Sequence, residues 1–183
     1  AWWTDTGKAR ITFDLDTVAI EKNIAKDVIF VLDTSTSMTG SKINQVKEDT
    51  KELVESLLDN TNNRVALITF QTNATLISAF TNDKAYILNE VENLAPAGST
   101  NYYQGLRQVE TILNQYEWSA NRDVIVLFLT DGYPNVDVPN QITEYQYLKK
   151  NYPQLVINGV QYEMGDVILE PIQQISDNQF LAD

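Results

Sequence analysis

A chain of 183 residues with 43% hydrophobic content has the size and composition of one globular domain. Its formal net charge of −12, from 25 acidic against 13 basic residues, repels nucleic acid and anionic lipid and sets both aside as partners. It contains no His and no Cys, which excludes Ser-His-Asp and Cys-His catalysis, disulfides, and imidazole or thiolate metal sites, so any bound metal must be held by oxygen.

The chain opens on Ala1-Trp2-Trp3-Thr4-Asp5, without an initiator Met or the basic and apolar regions of a secretion signal, and reads as a piece of something larger. No apolar run approaches the roughly 20 residues that a membrane span requires. From Lys8 to Asp16, Ala9, Ile11, Phe13 and Leu15 alternate with polar residues as in a half-buried strand. Asn23 to Asp27 reads as a polar link. Val28 to Leu32 is apolar without alternation, the mark of a parallel strand covered on both faces.

Ile43, Val46, Leu53, Val54, Leu57 and Leu58 then recur at helical spacing. Val65–Phe70 and Ala74–Phe80 predict a hairpin closed by Gln71-Thr72-Asn73, and Asp83 predicts the cap of a helix carrying Tyr86, Ile87, Val91 and Leu94. Residues 96–101 break the pattern before a helix with Leu106, Val109, Ile112, Leu113 and Tyr116 on one face. Val124–Leu129 is a second fully apolar strand, ended by Thr130-Asp131-Gly132. A helix over Gln141–Lys150, a strand over Leu155–Tyr162 and a short helix over Ile168–Ile175, with Pro171 in its first turn, complete the series. Strands alternating with helices predict an α/β fold: a doubly wound, mainly parallel central sheet flanked by helices.

In such folds ligands gather where the carboxyl ends of the strands meet the following loops. Asp33 and Asp131 end the two buried strands; Ser35 and Ser37 lie just beyond Asp33, and Thr100 sits in a third loop before a helix. If the two strands are neighbours, five short oxygen-bearing side chains converge on one rim, the donor set a hard divalent cation prefers: Mg²⁺, with Mn²⁺ or Ca²⁺ as alternatives. Singly, each has a plainer role. Ser35 and Thr100 suit helix caps, and Asp131-Gly132 suits a turn.

At these positions the chain resembles the von Willebrand factor A domain family, which includes the inserted domains of integrins. Its metal-ion-dependent adhesion site joins an Asp-x-Ser-x-Ser stretch, matched by Asp33-Thr34-Ser35-Thr36-Ser37, to a Thr in a second loop (Thr100) and an Asp in a third (Asp131). The resemblance implies Ser35, Ser37 and Thr100 as direct or near-direct ligands and Asp33 and Asp131 acting partly through water. It implies a Rossmann-like sheet with the Ala74 strand at an edge, and a non-enzymatic adhesion module whose metal accepts an Asp or Glu carboxylate from a protein partner. Residues 26–183 would form this domain, lacking the family's final helix after Gln179–Asp183. Residues 1–25 would be a leading strand segment, added at an edge or belonging to a neighbouring domain. An extracellular or cell-surface location is expected, as in a Gram-positive surface or pilus adhesin.

Three other readings compete. A haloacid-dehalogenase-type phosphatase needs a carboxylic acid two residues after its Asp, where this chain has Ser35. A nucleotide hydrolase needs a phosphate-cradling loop, and Gly40-Ser41-Lys42 lacks the preceding glycine and spacing. An intracellular A-type adaptor coupling a motor or chelatase to clients shares the same motif. Trp2 and Trp3 read as surface cover, whereas Tyr102 and Tyr103, following Thr100, are better ligand-contact candidates, with one packing inward.

Overall fold

The computed structural model describes residues 24–162 and 168–182; the expected strand over Lys8–Asp16 and the Trp2-Trp3 pair lie outside them. Elements follow in the order β1 (Ala25–Asp33), α1 (Ser41–Leu58), β2 (Arg64–Phe70), β3 (Ala74–Thr81) and α2 (Lys84–Glu92). They continue with α3 (Tyr102–Leu113), β4 (Arg122–Thr130), α4 (Val138–Asn151), β5 (Val156–Tyr162), α5 (Glu170–Gln173) and β6 (Asn178–Ala182). Among the described residues they form a six-stranded sheet of order β3-β2-β1-β4-β5-β6, parallel throughout except for the β2–β3 hairpin. The fold is α/β with a mainly parallel sheet and β3 at an edge, as the sequence predicts.

The unbroken apolar runs of β1 and β4 lie at the sheet centre because each serves two cores. Ile29 and Val31 face Leu106 and Val109 of α3 and Leu148 of α4. Val28, Phe30 and Leu32 face Val46 and Val54 of α1 and Ile87 of α2. Burying such side chains contributes about 1.5–3 kcal/mol each, which fixes the strand against both layers.

Four boundaries differ from expectation. The polar link before Val28 is strand from Ala25, because its charges are neutralised in place. Asp27 is fully buried and accepts from Arg64 Nε at 3.0 Å and Nη2 at 2.6 Å, and also from Arg122 and Tyr116. Helix α3 stops at Leu113, although Tyr116 still packs against Phe80 and Trp118. Helix α4 starts at Val138, with Pro139 in its first turn after Asp137 in a left-handed conformation. Helix α5 is only four residues long, and no helix among the described residues is long and apolar enough to cross a membrane.

Candidate metal centre

Parallel strands in register carry their last residues to one edge, so Asp33 (end of β1) and Asp131 (just past β4) become neighbours: Leu32 pairs with Leu129. Both aspartates are buried. Ser35 donates its backbone N–H to Asp33 Oδ1 at 2.7 Å, and Thr130 donates its hydroxyl to Asp33 Oδ2 at 2.7 Å. Ser37 donates to Asp131 Oδ1 at 2.8 Å. That bond uses the only hydroxyl proton of Ser37, so Ser35, whose Oγ lies 2.9 Å from Ser37 Oγ, is the donor in their mutual bond. A relay Ser35–Ser37–Asp131 results, with the lone pairs of Ser35 left for another group.

The plainer roles of these residues are taken by others. Ser35 stands before the 3₁₀ turn Thr36–Met38 and makes no side-chain cap bond. The cap of α3 is Asn101, which accepts from Gln104 N–H at 3.2 Å, leaving Thr100 free of that duty. Thr100 is buried, and its loop is tied to the serine loop. Gly98 O accepts from both the Thr36 amide (3.1 Å) and hydroxyl (2.8 Å), while Ala97 N–H donates to Thr34 O at 2.8 Å. Gly98 has φ +70°, and a Cβ there would lie 1.9 Å from Gln71 Oε1, so this link requires glycine. The third loop joins through Asn135, which accepts from Thr100 N–H at 3.1 Å and donates its own N–H to Thr100 O at 2.9 Å.

Burial pushes the Asp33 carboxyl up to about 6, against the hydrogen bonds from Thr130 and Ser35 and with a smaller contribution from Asp131. A cation beside it would reverse that cost. The donor set fits a hard divalent ion: two carboxylates, three hydroxyls, no nitrogen or sulfur ligand. Ser37 is exposed, so the cluster opens to solvent on one side.

Two rim residues escaped the sequence reading. Lys42, the second residue of α1, places its ammonium 2.6 Å from Asp131 Oδ2. Its spacing to Asp33 carried no warning, because the aspartate it meets is 89 residues away. Tyr133, two residues beyond Asp131, is 58% exposed. Tyr102 is the tyrosine that packs inward: it lies edge-on to Phe70 and Phe128 and bonds Thr130 Oγ1 at 3.2 Å and the Gly132 carbonyl. Tyr103 is half-buried.

Comparison with known proteins gives a consistent picture. The family model of the von Willebrand factor type A domain matches residues 28–134, a stretch that contains all five candidate ligands. Inter-alpha-trypsin inhibitor heavy chain H1 of Sus scrofa is 32% identical over 125 residues, 63% of this chain and 14% of that protein. Heavy chain H2 of Sus scrofa is 27% identical over 173 residues, 87% of this chain and 18% of that protein. The chain thus spans under a fifth of the length of these relatives.

Among solved structures, the vWF domain of the type V pili tip protein Mfa5 of Porphyromonas gingivalis superposes with a TM-score of 0.75 at 15% identity, covering 87% of this chain and 90% of that one. Proximal thread matrix protein 1 of the mussel byssus, with a zinc-occupied MIDAS motif, gives a TM-score of 0.71 at 20% identity, covering 86% of this chain and 41% of that one. At such identities the superpositions establish the shared fold.

Proposed function

The chain belongs to the von Willebrand factor type A domain family, and from that premise we propose that it is a protein-binding module whose recognition runs through a divalent cation held by Asp33, Ser35, Ser37, Thr100 and Asp131. The carrying observation is the oxygen-only cluster at the carboxyl ends of β1 and β4, in which the serine hydroxyls point to each other and to Asp131 instead of capping a helix. The hydroxyls of Ser35, Ser37 and Thr100 supply neutral oxygen, Asp33 and Asp131 supply charge, and Thr130 holds Asp33 in place. When bound, the ion (Mg²⁺, with Mn²⁺ or Ca²⁺ as substitutes) offers a Lewis-acid position for an Asp or Glu carboxylate of the partner. Exposed Tyr133 adds a flat amphipathic contact beside it.

The role is binding without catalysis. Ser35 stands where a phosphatase of this topology needs its acid, and neither His nor Cys occurs in the sequence. We place it outside the cell; a pili tip protein and a mussel byssus thread matrix protein are among the proteins that share its fold. The test is thermal melting in Mg²⁺ or Mn²⁺ against EDTA. An ion at a hundredfold its Kd stabilises the folded state by about 2.7 kcal/mol, and Asp33→Ala abolishes that gain while the domain still folds. Equal melting temperatures for the wild type with and without saturating metal would refute the reading.

A further inference from the structure

Lys42 adds a charge that the motif does not contain. Its Nζ sits 2.6 Å from Asp131 Oδ2, and the Asp131 carboxylate is fully buried while the lysine side chain is 22% exposed. The ammonium thus reaches inward from the rim to the one Asp131 oxygen that Ser37 leaves open. We propose that Lys42 is a resident cation of the metal centre, one that weakens its hold on the metal and turns the metal-loaded rim into a receptor for a single carboxylate. This rests on the metal-centre reading above and deepens it.

Asp33, Asp131 and Lys42 together carry one net negative charge, so a divalent ion takes the centre to +1; without Lys42 the same ion would leave it neutral. A partner carboxylate then brings the loaded centre to zero, which answers how a chain of net charge −12 binds an acidic group. At separations of a few ångströms in a half-buried site, each unit charge changes ion affinity by about tenfold or more. Lys42 therefore opposes the metal and favours the anion. As a cation in the first turn of α1, it gains nothing from the helix dipole, so its placement serves Asp131 rather than the helix.

The experiment uses Mn²⁺ alone as the first probe, with free ion counted by electron paramagnetic resonance in the wild type, Lys42→Gln, Lys42→Arg and Asp33→Ala. Lys42→Gln binds Mn²⁺ at least about tenfold more tightly than wild type, and Lys42→Arg stays within about threefold. Acetate is then titrated into each Mn²⁺-loaded protein and followed by water-proton relaxation. The half-effect concentration rises at least about tenfold in Lys42→Gln. Unchanged or weaker Mn²⁺ binding in Lys42→Gln, or an unchanged acetate response, overturns the role of Lys42 and leaves the metal centre standing. No Mn²⁺ binding by the wild type overturns the metal centre itself, and this inference with it.

Discussion

Strand β1 carries one buried aspartate near each end, and Asp27→Asn separates what they do. Asp27 is fully buried and receives two bonds from Arg64, one from Arg122 and one from Tyr116. An amide keeps the shape but loses the charge, and it presents an NH₂ to groups that are themselves donors. Breaking a buried ion pair costs about 3–5 kcal/mol. Arg64 and Arg122 keep 37% and 25% side-chain exposure and regain water when released, so the loss falls at the lower end, about 3 kcal/mol. In a domain of this size that lowers the melting temperature by about 6–12 °C. Asp33 lies six residues farther along β1, about 20 Å away, so Mn²⁺ affinity stays at the wild-type value. Urea unfolding and Mn²⁺ titration on the same preparation read both quantities. A stability loss under about 1 kcal/mol, or a changed Mn²⁺ affinity, would refute the reasoning.

At the other end of the strand, Asp33→Asn in EDTA raises stability by about 1 kcal/mol, because burial of this carboxylate is incompletely compensated; a lower melting temperature would contradict that. Gly159→Ala places a Cβ 2.5 Å from Ile172 Cγ1 and 2.9 Å from Ser176 Oγ, and destabilises by about 1–3 kcal/mol in urea unfolding. Glu144 is raised above the usual carboxylate range by burial and then by Glu110, with Arg107 opposing. The folded carboxyl therefore holds its proton to higher pH than the unfolded one, and its charge costs stability as pH rises through that window. Glu144→Gln is then stabilising at pH 7.5, and the gain disappears below the unfolded pKa of about 4.3; a gain that grows toward acid would reverse the sign.

Most of the fold was legible because its signals are local. Val28–Leu32 and Val124–Leu129 read as strands covered twice, and the spacings of Ile43–Leu58 and Leu106–Leu113 as helix faces. The start of β1 was hidden because Lys26 and Asp27 look like loop residues until Arg64 and Arg122 are seen beside them; the charge that cancels Asp27 comes from two other strands. The same holds at the rim. Asp33, Ser35 and Ser37 announce themselves by spacing, Thr100 by standing in the break before a helix, and Asp131 by ending an apolar strand. Lys42 pairs with an aspartate far away in the chain, and no local pattern encodes that. That one of Tyr102 and Tyr103 packs inward was legible; which of them meets Phe128 edge-on depends on how α3 crosses the sheet.

The central claim is that one divalent ion sits among Asp33, Ser35, Ser37, Thr100 and Asp131, and anomalous diffraction at the manganese edge from Mn²⁺-soaked crystals tests it most directly. The account predicts one strong peak within coordination distance of the Ser35 and Ser37 hydroxyls and Thr100, absent from crystals of Asp33→Ala. A peak elsewhere on the surface, or no peak at an Mn²⁺ concentration that shifts the melting temperature, would contradict it.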